Sequence, residues 1–158
     1  MLTDHFPPYI GGVERAVYEL TRRLAAQGHL VHVVTLNTSW TLRRERINGV
    51  VVHRAPAIDL TRWLKLQSAL SLPVVSLAAR VARVLHPDIL HIHNLFYFTS
   101  LVALWLKERS HRPLVNTMQL GAMDQLGGLT GALTVGYERA VGRAILRASD
   151  RVIAVSHA

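Results

Sequence analysis

The residues with the means to do chemistry fall into three short groups. The first is Pro7-Pro8-Tyr9-Ile10-Gly11-Gly12-Val13-Glu14, which leads into a helical pattern. Adjacent glycines let a backbone approach a ligand and adopt positive φ. The free N–H groups of the helix that follows suit an anion, with phosphate the natural guest. A plain tight turn without a ligand is the alternative. The loop lacks Gly-x-Gly-x-x-Gly spacing and is not followed by Gly-Lys-Ser/Thr, which argues against a dehydrogenase fingerprint and a Walker loop. The second group is Pro87-Asp88-Ile89-Leu90-His91-Ile92-His93-Asn94. His91 and His93 are two apart on an expected strand and so share one face. His93 falls at its carboxyl end, where open α/β sheets place their ligand crevice. A structural role suits His91, while for His93 function and structure stand equal. A metal reading lacks a third ligand. The third group is Asn116-Thr117-Met118-Gln119, where Gln119 ends another strand and can reach the same crevice. No acid–base pair, nucleophile elbow or triad stands out.

These groups need a scaffold, and the pattern supplies one. Over residues 12–27, Val13, Ala16, Val17, Leu20 and Leu24 recur at helical spacing, with Glu14, Arg15, Glu19, Arg22 and Arg23 expected on the solvent side and Gly28 ending the helix. Residues 30–36 are apolar on both faces and rich in β-branched side chains, as in a strand covered on both sides. Asn48-Gly49 makes a turn before a strand at 50–53. Residues 60–85 read as helical with an interruption near Pro73. A strand at 89–93, a helix at 95–109, a strand at 114–118, a helix at 132–148 and a strand at 152–155 follow. Glu138, Arg139, Arg143 and Arg147 are expected on the solvent face of the last helix, and the Gly- and Thr-rich stretch 121–136 reads as a mobile loop. The alternation implies βαβ units and a doubly wound, mostly parallel α/β sheet. Both ends read as incomplete: residues 1–4 resemble only the tail of a first strand, which leaves the sheet centre poorly covered and the chain marginally stable.

Composition sets the outer limits. The chain has 158 residues, the size of one domain, and half are hydrophobic, enough for a sizeable core. It has no cysteine, which excludes disulfides and thiolate chemistry and favours a reducing compartment. A net charge of +8 suits a phosphorylated ligand, an anionic membrane or a solvated basic surface. Aromatic residues do not interleave with the basic ones, so nucleic acid is not expected. No stretch is long enough to span a bilayer, and Asp4, His5 and Pro7-Pro8 break any secretory start. The expected place is cytoplasmic. Contact with the inner membrane face is a further reading, drawn from Arg62, Trp63, Leu64, Lys65, Arg80 and Arg83 in a basic amphipathic segment, which also reads as a helix packed on a sheet.

Four motifs in order resemble the N-terminal domain of family 4 glycosyltransferases: Phe6-Pro7-Pro8-Tyr9-Ile10-Gly11-Gly12-Val13-Glu14, Gln27-Gly28-His29-Leu30-Val31, Pro87-Asp88-Ile89-Leu90-His91-Ile92-His93-Asn94, and Ala148-Ser149-Asp150-Arg151-Val152-Ile153-Ala154-Val155-Ser156. The resemblance spans residues 1–158 and implies a Rossmann-like half of a GT-B enzyme. Such an enzyme is a retaining, metal-independent hexosyltransferase with no cofactor beyond its nucleotide-sugar co-substrate. It implies a lipid or saccharide acceptor, Gly11 and Gly12 at the donor phosphates, and His93 and Gln119 at the catalytic crevice. Tyr9, Glu14, Arg15 and Asn94 are expected on the acceptor side. Gln119 stands where family members often carry histidine, and glutamine cannot carry a proton's charge. The donor-binding C-terminal domain of the family is missing from the pattern, so the isolated chain is expected to be inactive. A non-catalytic module that needs a separate donor-binding partner is the alternative.

Overall fold

The computed structural model describes residues 1–9, 11–37, 43–59, 69–119 and 136–155. Its sheet is built from β1 (His32–Asn37), β2 (Arg44–Ile47), β3 (Val50–Pro56), β6 (Leu90–His93), β7 (Leu114–Met118) and β8 (Arg151–Ala154). Two further two-residue strands, β4 (Ile58–Asp59) and β5 (Ala69–Leu70), pair antiparallel to each other. Leu2 bridges Val34 of β1 on one side and Ile92 of β6 on the other, both in parallel register. The order is therefore β2–β3–β1–Leu2–β6–β7–β8, parallel throughout except for β2. From Leu2 the chain moves outward to β1 and β3, then crosses back to β6, so the strand order reverses beside Leu2. Leu2 is only 3% exposed and fills the sheet centre that the sequence pattern left poorly covered.

Helices lie on both faces. Consecutive residues of β1 point to opposite sides, so Val33 joins Val17 of α1 (Gly12–Ala26), while Val34 and Leu36 join Val74 and Ala78 of α2 (Leu72–Leu85) and Val102, Ala103 and Leu106 of α3 (Phe98–Ser110). Ile145 of α4 (Arg143–Ala148), which follows a π-helical turn at Glu138–Gly142, completes the second cluster. Each fully buried branched side chain contributes about 1.5–3 kcal/mol relative to exposure, and Thr35, the buried polar residue within β1, is satisfied by donating from Oγ1 to Asp4 O at 3.1 Å.

The elements depart from expectation where tertiary contacts outweigh local pattern. In α1 the buried residues are Glu14, Val17 and Thr21, and Ala16 is exposed, so the helix is rotated from the apolar stripe. Pro73 opens α2 instead of interrupting a longer helix. Ser71 caps it, with Oγ accepting from Val74 N at 3.2 Å and donating to Pro56 O at 2.6 Å. Ala69 and Leu70 are strand, not helix. The basic cluster Arg44-Glu45-Arg46 forms the edge strand β2, joined to β3 by Asn48 (φ 47°) and Gly49 (φ 85°), a two-residue hairpin turn with positive φ at both positions. Helix α3 starts at Phe98, three residues later than the pattern suggested. Residues 60–68 with the proposed membrane-facing Arg62, Trp63, Leu64 and Lys65, and the expected loop and helix start at 120–135, lie outside the described residues. Among the described residues no helix is long and apolar enough to cross a membrane.

Candidate functional site

The carboxyl ends of Leu2's segment, β6 and β7 converge where the strand order reverses, the position at which open parallel sheets hold ligands. Asp4 follows the central segment and is 2% exposed. Its carboxylate accepts from Phe98 N (3.0 Å), Thr99 N (2.9 Å) and Thr99 Oγ1 (2.8 Å), and so caps α3 from a distant part of the chain. Burial raises the Asp4 carboxyl's pKa, and the hydrogen bonds from Thr99 and Phe98 pull against that rise.

The next layer is the loop that leads to α1. Gly11 is the N-cap of α1, with φ −144° and ψ 177°, extended backbone that any residue adopts, so the expected positive φ is absent there. The reason for glycine is spatial. A Cβ on Gly11 would stand 2.1 Å from Glu14 Oε2, whereas one on Gly12 would meet nothing within 4 Å. Glu14, expected on the solvent face, is instead 2% exposed and accepts a hydrogen bond from the Tyr97 hydroxyl at 3.2 Å. Burial first, then the charges of Glu14 and Asp4, hold the Tyr97 hydroxyl well above the ordinary phenol value, so it remains a donor. Arg15 is exposed, and Tyr9 is half-buried with its ring stacked on His5, centroids 4.5 Å apart. The loop is tied to β3 by Arg54, which donates to Glu45 Oε1 from Nε (3.0 Å) and Nη2 (2.5 Å) and from Nη2 to Pro7 O (2.5 Å).

At the end of β6, His93 is fully buried and stacked on His91, 4.6 Å between centroids, which confirms their shared face. His91 takes the structural role, with Nε2 2.8 Å from Thr117 Oγ1. Burial lowers the pKa of His91 to about 4, and burial followed by the neighbouring His91 lowers that of His93 to about 3. Both imidazoles are therefore neutral near pH 7. Both ring nitrogens of His93 are without a hydrogen-bond partner among the described residues. His93 offers one donor and one acceptor, not a positive charge. Asn94 follows with φ 68°, a left-handed conformation asparagine tolerates. Its N–H donates to Thr117 O (2.9 Å), and its Oδ1 accepts from Gln119 N (2.8 Å). Asn94 thus fixes Gln119, which is half-buried and whose Oε1 has no partner among the described residues.

The structure thus brings His93, Asn94 and Gln119 together through the β6–β7 ladder, and joins Glu14 to the β6–α3 turn through Tyr97. Arg15 points away from this network into solvent. Asp4, His5 and Tyr97 were not foreseen. Asp4 ends, and His5 follows, a four-residue stretch that read only as the tail of a strand, and Tyr97 sat inside an expected helix. For Asp4 and His5 the one sequence signal was a polar pair just ahead of Phe6-Pro7-Pro8 and the glycine loop. Among the described residues no cluster of three or more metal-ligating side chains is present.

A comparison with curated protein sequences gives no match. The family model described as Glycosyltransferase Family 4 matches residues 10–158. That match covers the Gly-Gly loop, the β6 and β7 ends and β8, and on it the chain belongs to glycosyltransferase family 4.

Proposed function

We propose that this chain is the acceptor-side, Rossmann-like half of a retaining GT-B enzyme that moves a hexose from a nucleotide-sugar to a lipid or saccharide acceptor. The observation that carries the reading is the convergence of His93, Asn94, Gln119 and the Gly11-Gly12 loop at the reversal of strand order in a family 4 chain. In this reading the donor nucleotide is held by a second domain across the cleft. Gly12, with open space around it, lets donor phosphates approach the N-terminus of α1, while Gly11 is taken up by Glu14. Gln119 presents an amide to the reacting sugar, and neutral His93 hydrogen-bonds beside it. Stabilisation of the departing phosphate by backbone donors is the catalytic contribution expected of this half. Tyr9, Glu14 and Asn94 shape the acceptor side, whereas Arg15, exposed in the first turn of α1, stands outside this set. Exposed Leu72 and Val84 beside Arg80 and Arg83 support contact of α2 with an anionic membrane surface.

The test is nucleotide release. The native gene product, incubated with a panel of nucleotide-hexoses and lipid and saccharide acceptors, is expected to release nucleotide in an acceptor-dependent manner and to keep the anomeric configuration of the sugar. The 158-residue chain alone is expected to release none. Absence of release by the native product with every donor would refute the transferase reading and favour a binding module.

A further inference from the structure

Beside the crevice lies a cluster that the reading above leaves without a purpose. His5 is 3% exposed, yet neither Nδ1 nor Nε2 has a hydrogen-bond partner among the described residues. A neutral imidazole carries one donor and one acceptor, and burial with both unmet is unfavourable. The ring is held in place on two sides, stacked on Tyr9 at 4.5 Å and edge-on to Tyr97 at 6.2 Å. A purely structural ring in this place is served better by phenylalanine, which fills the same space with no polar atoms to satisfy.

The charge around His5 narrows what it can bind. Asp4 interacts electrostatically with it, and Glu14 is joined to the Tyr97 that packs against it. Both carboxyl groups are 2% exposed, and Asp59 and Glu14 both raise the pKa of Tyr9, after burial. Arg54, whose guanidinium is tied to this loop, is engaged by Glu45 and Pro7 O. A phosphate would meet the carboxyl groups of Asp4 and Glu14 here. A neutral, hydroxyl-rich ring meets the opposite situation: hydroxyls donate to carboxylates and to an imidazole acceptor nitrogen, and accept from the imidazole N–H.

We propose that His5, with Glu14 and the Tyr97 hydroxyl, forms a subsite for the neutral saccharide end of the acceptor, reached when the half-buried Tyr9 moves off the imidazole. This rests on the glycosyltransferase reading and deepens it. It assigns the acceptor group at this point to a sugar ring, not to a phosphate head group.

The probes are the methyl glycosides of glucose, galactose, mannose and N-acetylglucosamine, titrated into the 158-residue chain with the His5 ring nitrogens followed by NMR. At least one glycoside is expected to shift the His5 nitrogens saturably. His5→Phe is expected to weaken that binding tenfold or more while melting at or above the native temperature, and His5→Gln, which keeps a donor and an acceptor, to retain part of it. The proposal is overturned if no glycoside moves the His5 nitrogens, if inorganic phosphate moves them instead, or if His5→Phe binds as the native chain does. A markedly lower melting temperature for His5→Phe also overturns it, because that marks a structural ring. Nucleotide release by the native gene product, measured separately, keeps the two readings apart. Release without glycoside binding removes only this subsite, and glycoside binding without release removes only the transferase reading.

Discussion

Replacing Gly11 by alanine isolates the contact that places Glu14. The backbone at Gly11 is extended, so alanine meets no dihedral penalty, and its restriction of the unfolded chain contributes about 0.4–1 kcal/mol of stability. Two effects oppose this. Alanine is a poorer N-cap than glycine, by roughly 0.5 kcal/mol. Its Cβ would sit 2.1 Å from Glu14 Oε2, so the buried carboxylate must shift, and the bond that the Tyr97 hydroxyl donates to Glu14 Oε1, worth about 1.5–3 kcal/mol to a charged acceptor, is expected to be lost with it. The net expectation is a loss of about 1–3 kcal/mol, or a melting temperature lower by roughly 3–8 °C for a domain of this size. Gly12→Ala has open space and a helical backbone, so it is expected to be neutral or to gain up to about 1 kcal/mol. Urea titration and thermal melting of the two variants provide the comparison. Tyr97→Phe adds a control: its cost in the Gly11→Ala background should fall by about 1 kcal/mol relative to the native background, because the shared bond is already broken. A Gly11→Ala chain as stable as Gly12→Ala, or strict additivity with Tyr97→Phe, would refute the steric account.

Three further perturbations follow from the same geometry. Asp4→Asn exchanges a carboxylate that accepts three hydrogen bonds for an amide with a single acceptor oxygen, and is expected to cost about 2–4 kcal/mol in urea unfolding, with a loss of helical signal from α3. Arg54→Met leaves Glu45 and the Pro7 carbonyl without their donor; a cost of about 2–4 kcal/mol and faster proteolysis near residue 7 are expected. Burial lowers the pKa of His53 and His91 to about 4 and of His93 to about 3, so below the ordinary imidazole value the folded chain binds fewer protons than the unfolded one. Their contribution is thus fully present above about pH 6.5 and is lost as pH falls toward 4, with up to about 1.4 kcal/mol per pH unit from each histidine. A urea midpoint that stays flat from pH 8 to pH 5 would contradict it.

Sequence pattern was most informative where one local rule decided the outcome. The β-branched run of β1, the Asn48-Gly49 turn and the alternation of strands with helices each reflect short-range physics, and the mostly parallel α/β arrangement followed from them. The shared face of His91 and His93 came from the two-residue period of a strand. Glu14 shows where this fails. Helical spacing put it with the solvent-facing charges, but a partner 83 residues away, Tyr97, holds it inside. Asp4 is similar: a cap supplied to α3 from 94 residues upstream leaves no trace in the helix's own sequence, which has Tyr97 at the N-cap and no side-chain cap bond. The rotation of α1 and the burial of His5 have the same origin. They depend on which surfaces meet across the reversal of strand order, and that is settled by the sheet as a whole.

Whether this crevice serves sugar transfer is tested most directly by acceptor-dependent nucleotide release from the native gene product, compared with its Gln119→Ala and His93→Phe variants under donor saturation. The account predicts turnover by the native protein and a loss of tenfold or more in each variant, with circular dichroism spectra and gel-filtration profiles unchanged. Full turnover in both variants, or none in the native protein with any nucleotide-hexose, would contradict it.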